Sequence, residues 1–346
     1  MAWCRLRYKY PGPLPAQPGP NRSILHDCTP YHKQMDIHTL RSTLHNQPFG
    51  HTIDYYPSVP STMPLARALA EEAPVPAQIS GAVVVADEQT AGRGRLERRW
   101  ETPPGRALLV SVVVAGSHLP ERPAQLPMIA GLAVLDAVMQ AVSLPVTTQS
   151  PRHFTNSATV DRHASCAPPK SAGDFFRLKW PNDLIALLPT GPVKIAGLLA
   201  ESSLDRRGIR YAVLGIGINV NQRADELPAP RSGGLRPASL HTLFGHDFAR
   251  EELLIALCRA LSSLLAGPGR PSAAEIHARW QAALINAGRT VIVHDRAGNW
   301  QGQVVGTDID GALLVEDEAG RQVPIEAGDV SLETLDFQPR SGGAAR

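Results

Sequence analysis

The chain has 346 residues, 43% of them hydrophobic, and a net charge of only +2. That length suits two or three domains around a substantial core, and the near-neutral balance does not suggest a nucleic-acid binder. The four cysteines, Cys4, Cys28, Cys166 and Cys258, are scattered with no CxxC pair, which argues against a disulfide framework and a cysteine zinc site.

No apolar run approaches the length of a membrane span. Arg5, Arg7 and Lys9 have no apolar stretch behind them, so a secretory signal is not expected and the cytoplasm is the default compartment. Residues 1–50 are rich in Pro, His and Arg and are expected to be disordered. Met35 opens a more ordinary stretch, so residues 1–34 read as an extension; an intact native mass starting at Met1 would contradict that.

From residue 53 the pattern becomes globular. Ile53 to Tyr56 reads as a strand. Ser61 and Thr62 precede a helical run from Pro64 to Ala73, which makes plain N-capping the ordinary reading of those hydroxyls. Ala82 to Ala86 and Ala107 to Ala115 are continuous apolar runs of buried-strand type. The segment between them is expected to be a loop. Ala124 to Val142 carries apolar residues at helical spacing and predicts a core helix. Residues 145–174 have no period and read as a mobile surface insertion.

Phe175 to Trp180, Leu184 to Leu188, Lys194 to Glu201 and Arg210 to Val220 read as strands, and residues 223–237 as a loop. Helices are expected at about 249–266 and 272–287. Four short strands follow (290–294, 300–307, 311–317, 321–326), with Gly-rich turns at Asp310-Gly311 and Ala319-Gly320, the pattern of a small antiparallel barrel. Residues 336–346 read as a disordered tail.

Four segments carry unusual chemistry. The Ser61-Thr62 pair is one. The second is the loop Gln89 to Trp100, where Gly92 and Gly94 alternate with Arg93 and Arg95, Arg98 and Arg99 follow, and Trp100 closes the run. Glycine permits close backbone approach, arginine matches carboxylate and phosphate geometry, and tryptophan offers a face to a base. The loop is neither G-x-G-x-x-G nor a Walker A sequence. Solvated surface is the bland alternative, but glycine is poor surface filler. The third is Lys179-Trp180-Pro181-Asn182-Asp183, a strand running into a turn. The fourth is Lys194 to Gly197 followed by Gly215 to Asn219: a lysine opening an apolar run, and glycines inside apparent strands.

In this order these segments resemble the biotin–protein ligases, over roughly residues 50–335. The pairing of the Gly-Arg loop with Lys-Trp-Pro-Asn-Asp carries most of the specificity. The resemblance implies an α/β catalytic domain on a mixed sheet (residues 51–287, with 145–174 as insertion), then a small SH3-like β-barrel (288–335). It implies that biotin and ATP form biotinyl-5′-AMP, with Mg²⁺ on the phosphates, and that the biotin passes to a lysine of a biotin carboxyl carrier domain.

By matching position, Lys194 and Arg95 are the expected catalytic residues. Ser61, Thr62, Gln89, Arg93, Gly94, Arg95, Lys194, Gly197 and Gly215 would bind biotin. Arg93, Arg95, Arg98, Trp100, Asn182, Asp183, Lys194 and Asn219 would bind the adenylate. No metal ligand set is readable. Met63 and Glu97 depart from the family pattern, the latter placing a negative charge in the Gly-Arg loop. Residues 1–50 are too short and Pro-rich for the winged helix-turn-helix of some members, so no DNA binding is expected, and no membrane partner. The oligomeric state stays open, a homodimer included. A lipoate- or octanoate-handling transferase is the nearest rival; a non-enzymatic binding module is the rival from another class, weakened by the near-zero charge.

Overall fold

The computed structural model describes residues 34–95, 98–143, 175–206, 208–230, 234–295, 298–326 and 329–332. All but the last residue of the expected extension over 1–34, together with the 145–174 insertion and the 336–346 tail, lies outside the described residues.

Residues 34–50, expected to be disordered, instead include a helix, α1 (Ile37–Leu44). Asp36 caps it by accepting the Thr39 backbone N–H at 3.0 Å. Leu40 and Leu44, one turn apart, are fully buried together with Phe49. The Pro-rich composition of the first thirty residues hid this apolar stripe.

The main sheet is mixed. It contains β1 (Ile53–Val59), β2 (Val83–Gln89), β5 (Ala107–Ala115), β6 (Phe176–Lys179), β7 (Asp183–Leu188), β8 (Gly191–Asp205) and β9 (Gly208–Asn219), in the order β1-β2-β5-β9-β8-β7-β6. The pair β1·β2 is parallel, and the later neighbours along that path are antiparallel. A short strand inside the expected 223–237 loop, β10 (Arg236–Pro237), joins β8 in parallel.

The two faces of this sheet differ because strand side chains alternate. Leu214, Ile216 and Ile218 of β9, with Leu108, Val110, Val112 and Val114 of β5, enter the main core. There they meet α3 (Leu126–Ser143) and α5 (Arg250–Leu265). The alternate residues Gly215, Gly217 and Asn219 of β9 and Ser111 of β5 belong to the other face. One end of that face is closed by α2 (Thr62–Glu72), whose Met63, Ala66 and Ala70 pack on Val113 and Ala115.

On length and composition alone, α3 with its preceding turn meets the test for a membrane-crossing helix, contrary to the expectation. Here it is a core helix, with Leu126, Ile129, Leu132, Ala133, Val134, Ala137 and Val138 buried. A single-turn helix that the sequence reading missed, α4 (Leu240–Phe244), is capped by Ser239. The next long helix, α6 (Ala273–Ala283), starts with a Ser272/Glu275 capping box.

The C-terminal sheet has five antiparallel strands, one more than expected: β11 (Thr290–Asp295), β12 (Gly298–Thr307), β13 (Leu313–Glu316), β14 (Gln322–Ile325) and β15 (Asp329–Leu332), in the order β14-β13-β12-β11-β15. Gly311 and Gly320 take φ of +93° and +74° in the turns where the sequence placed them. This is the small SH3-like unit that follows the mixed-sheet α/β domain.

Candidate active site

The Gly-Arg segment is not a plain loop. It forms a hairpin of β3 (Gly92–Arg93) and β4 (Arg99–Trp100), with Gly92 opposite Trp100. Glycine is required at 92 by contact: a Cβ there would lie 2.4 Å from the Trp100 carbonyl oxygen. At the tip, Gly94 N–H donates to Arg98 O at 2.6 Å and Arg98 N–H to Arg95 O at 3.1 Å. Glu97 lies outside the described residues.

The hairpin lays the Trp100 indole on the glycine-bearing face of the sheet. A Cβ on Gly217 would lie 2.7 Å from Trp100 Cε2, and one on Gly197 2.9 Å from Cζ3. Gly215 makes the same allowance for Met63, whose Sδ would be 2.7 Å from a Cβ. The strand glycines therefore clear a floor for two side chains.

Lys194 stands at the edge of that floor. Its Nζ lies 5.7 Å from the Trp100 ring centroid. It is also 2.7 Å from Asp183 Oδ1, a close ion pair without the angles of a good hydrogen bond. Asp183 thus faces Lys194, and the half-buried pair holds the ammonium in place.

At the α2 end the polar groups converge. Ser61 occupies the N-cap position, but its side chain makes no capping hydrogen bond. The bland explanation for this hydroxyl therefore fails. Gln89 Oε1 accepts from Thr62 N at 2.8 Å and from Thr62 Oγ1 at 3.1 Å. Thr62 Oγ1 is 2.7 Å from Ser111 Oγ. The sequence reading missed Ser111; a lone hydroxyl in the middle of a nine-residue apolar strand was the available signal.

The arginines divide. Arg93 Nη2 reaches Glu201 Oε1 at 3.5 Å, and Arg67 of α2 takes the other oxygen of Glu201. Arg95 lines a cleft of about 460 Å³ between the two units, with Asn182, Leu198, Met128, Gly311 and Glu326 among its walls. Arg98 is at the hairpin tip, and Arg99 pairs with Glu101 at 3.7 Å.

The Lys-Trp-Pro-Asn-Asp turn also divides. Lys179, 7% exposed, donates from Nζ to Val330 O at 2.9 Å and Trp180 O at 3.3 Å. Trp180 Nε1 donates to Gly311 O at 2.9 Å, and Trp180 N to Asn286 Oδ1 at 2.8 Å. This half fastens the C-terminal sheet. Asn182 Nδ2 donates to Leu198 O at 2.6 Å, tying the turn to β8.

Asn219 ends β9 on the same face as Gly217. Its Nδ2 donates to Ala238 O at 3.1 Å, and its Oδ1 accepts from Gln222 Nε2 at 2.9 Å. Behind β2, Asp87 accepts from Arg250 Nη1 at 2.7 Å and Tyr55 Oη at 2.5 Å, a buried tie two residues before Gln89. Burial first, then Asp87, raises the Tyr55 pKa, so the phenol stays a donor.

One face thus gathers hydroxyls, an amide, a held ammonium, an indole and the guanidinium groups of the hairpin along β8 and β9. It can hold a small polar head at one end, neutralise an acyl-phosphate in the middle, and seat a flat base at the other.

Residues 55–219 match the Biotin/lipoate A/B protein ligase family, and residues 287–333 match the Biotin protein ligase C terminal domain. The chain is 31% identical to the biotin--[acetyl-CoA-carboxylase] ligase of Paracoccus denitrificans, across 74% of this chain and 92% of that one. It is 31% identical to the protein of that name from Mycobacterium tuberculosis, across 73% of this chain and 80% of that one. Among solved structures, the biotin protein ligase from Aquifex aeolicus in complex with biotin and ATP superposes with a TM-score of 0.57 at 27% identity, covering 82% of this chain and 98% of that one.

Proposed function

The chain belongs to the biotin protein ligase family, and we infer from that premise and the site chemistry that it attaches biotin to a lysine of a biotin carboxyl carrier domain. The reaction is ATP-dependent. A biotin carboxylate oxygen attacks the α-phosphorus of ATP, the bond to the bridging oxygen breaks, and pyrophosphate leaves. The carrier lysine, as free amine, then attacks the acyl carbon of biotinyl-5′-AMP, loses a proton and expels AMP.

The observation that carries this reading is Lys194, held by Asp183 beside Trp100 on the glycine-bearing face. The first step brings two anions together, and a fixed ammonium lowers the barrier by stabilising the charge that develops between them. Arg93, Arg95 and Arg98 add charge from the hairpin. The pair between Arg93 and Glu201 is half exposed, so it holds the arginine weakly enough for a phosphate to take over. The hairpin then closes and keeps water from the mixed anhydride.

Ser61, Thr62 and Gln89 bind the ureido ring, with Gly94 and neighbouring backbone beside them, and the valeryl chain passes the Gly197 and Gly215 region. The adenine stacks on Trp100 and meets Asn219; Asn182 and Asp183 orient the adenylate by fixing the turn and Lys194. Among the described residues no group of three or more His, Cys, Asp or Glu is placed to hold a metal ion. Mg²⁺ held by the triphosphate itself would neutralise phosphate charge. We place the activity in the cytoplasm.

The test is transfer of radiolabelled biotin to a carrier domain with ATP. Label is expected on the carrier lysine only when both are present. Pyrophosphate release driven by lipoate and not by biotin would instead support the rival acyl ligase.

A further inference from the structure

We propose that Gln222 is a positioning residue that makes this site select adenine nucleotides, acting through the Asn219 side chain. The inference rests on the ligase reading, in which Asn219 meets the base.

Ala238 O can only accept, so Asn219 must turn Nδ2 toward it, at 3.1 Å. Asn219 Oδ1 is thereby turned to Gln222. Gln222 must answer with its amide nitrogen, and Nε2 does so at 2.9 Å. The chain of bonds fixes both amide orientations.

The arrangement is buried and leaves a remainder. Asn219 is 5% exposed and Gln222 1%. Among the described residues Gln222 Oε1 has no hydrogen-bond partner, although buried acceptors usually find one. A nonpolar side chain would fill the same volume without this cost, so packing alone does not account for glutamine here.

Further bonds brace the residue. Ser239 Oγ donates to Gln222 O at 2.6 Å while capping α4. Asn221, between the two, is clamped to Phe248 through both its amide atoms, at 2.8 and 2.9 Å. Ala238 N–H donates to Lys194 O at 2.9 Å. The Gln222–Asn219–Ala238 chain therefore ends on the backbone of the lysine at the reaction centre.

With its orientation fixed, Asn219 retains one acceptor lone pair on Oδ1 and one N–H on Nδ2. An adenine edge offers an amino donor and a ring-nitrogen acceptor, which match. Guanine offers O6 and N7, two acceptors, one of which would face Asn219 Oδ1. This orientation does not act on the biotin end of the site, where Thr62, Gln89 and Ser111 make their own network.

The experiment compares kcat/KM for ATP and GTP in biotin-dependent pyrophosphate release, for wild type, Gln222→Met, Asn219→Ala and the double variant. The ratio of the two constants does not depend on the fraction of active protein. Gln222→Met is expected to lower the ATP/GTP ratio about tenfold, mainly through KM for ATP, with biotin KM unchanged. Because Gln222 acts through Asn219, the double variant should discriminate no worse than Asn219→Ala. An unchanged ratio in Gln222→Met, additive losses in the double variant, or loss of biotin binding by Gln222→Met in titration overturns the proposal. Absence of biotin-dependent release by the wild-type protein would instead remove the ligase reading itself.

Discussion

The two faces of the main sheet, built from alternate residues of the same strands, divide stability from chemistry. On β9, Leu214, Ile216 and Ile218 enter the apolar core, whereas Gly215, Gly217 and Asn219 form the floor beneath Met63 and Trp100. On β5, Val110 and Val112 pack inward, and Ser111 meets Thr62 on the other side. The core face is filled by side chains that nothing else needs. The site face forgoes packing at its glycines so that an indole and a thioether can lie flat. A substitution should therefore announce its face by what it damages.

The largest separation is expected at Lys194. Lys194→Ala should lower pyrophosphate release by at least about 10³-fold, since a fixed charge at the reaction centre is lost. Its melting temperature should stay near wild type, because the ion pair with Asp183 is partly exposed. The opposite result is expected one strand away. Ile218→Ala, fully buried on the core face, should cost about 2–5 kcal/mol in urea unfolding while kcat/KM of the folded protein is retained.

Gly217→Val sharpens the contrast from the site side. The new side chain would drive the Trp100 ring from the floor, and roughly 10²-fold in kcat/KM is the expected loss. Quenching of Trp100 fluorescence by biotin and ATP should be lost with it. A smaller effect is expected at the hairpin tip, where Arg95→Gly should release biotinyl-5′-AMP and label bystander lysines in a lysate blot. Unchanged selectivity would remove Arg95 from water exclusion.

The smallest concerns pH. Burial, followed by His51 and Arg270, lowers the His118 pKa below its ordinary 6.5. The unfolded chain then takes up that proton more readily than the folded one. The stability contributed by neutral His118 is complete above about pH 6.5 and is lost as pH falls through that value toward the folded pKa. His118 lies at the far end of β5, bonded to Ser80 Oγ at 2.9 Å. Thermal unfolding between pH 7.5 and 5.5 should fall less steeply for His118→Gln than for wild type, with biotin KM equal in both at pH 7.5.

Most strands and long helices were legible because their apolar periods are long: β5 was read to its last residue, and α3 and α5 to within a few. What escaped had too little local pattern. The hairpin strands β3 and β4 are two residues each, and β15 gains its order by pairing with distant β11. α1 is a single apolar stripe beside a Pro-rich segment. In the site, Lys194, Trp100, Gln89 and the glycines stood out because each breaks a local rule. Ser111, Glu201 and Gln222 did not, because their meaning lies in partners that only the fold supplies: Thr62, Arg93 and Asn219. The split of the Lys-Trp-Pro-Asn-Asp turn was likewise invisible, since Lys179 finds its acceptor 151 residues away.

The most direct test of the central claim is ATP–pyrophosphate exchange measured with and without biotin, side by side for wild type, Lys194→Ala and Ile218→Ala, at a temperature where all three are folded. Exchange should require biotin in the wild-type protein, persist in Ile218→Ala, and fall to background in Lys194→Ala. Wild-type exchange by Lys194→Ala would contradict the assignment of the chemistry to the glycine-bearing face.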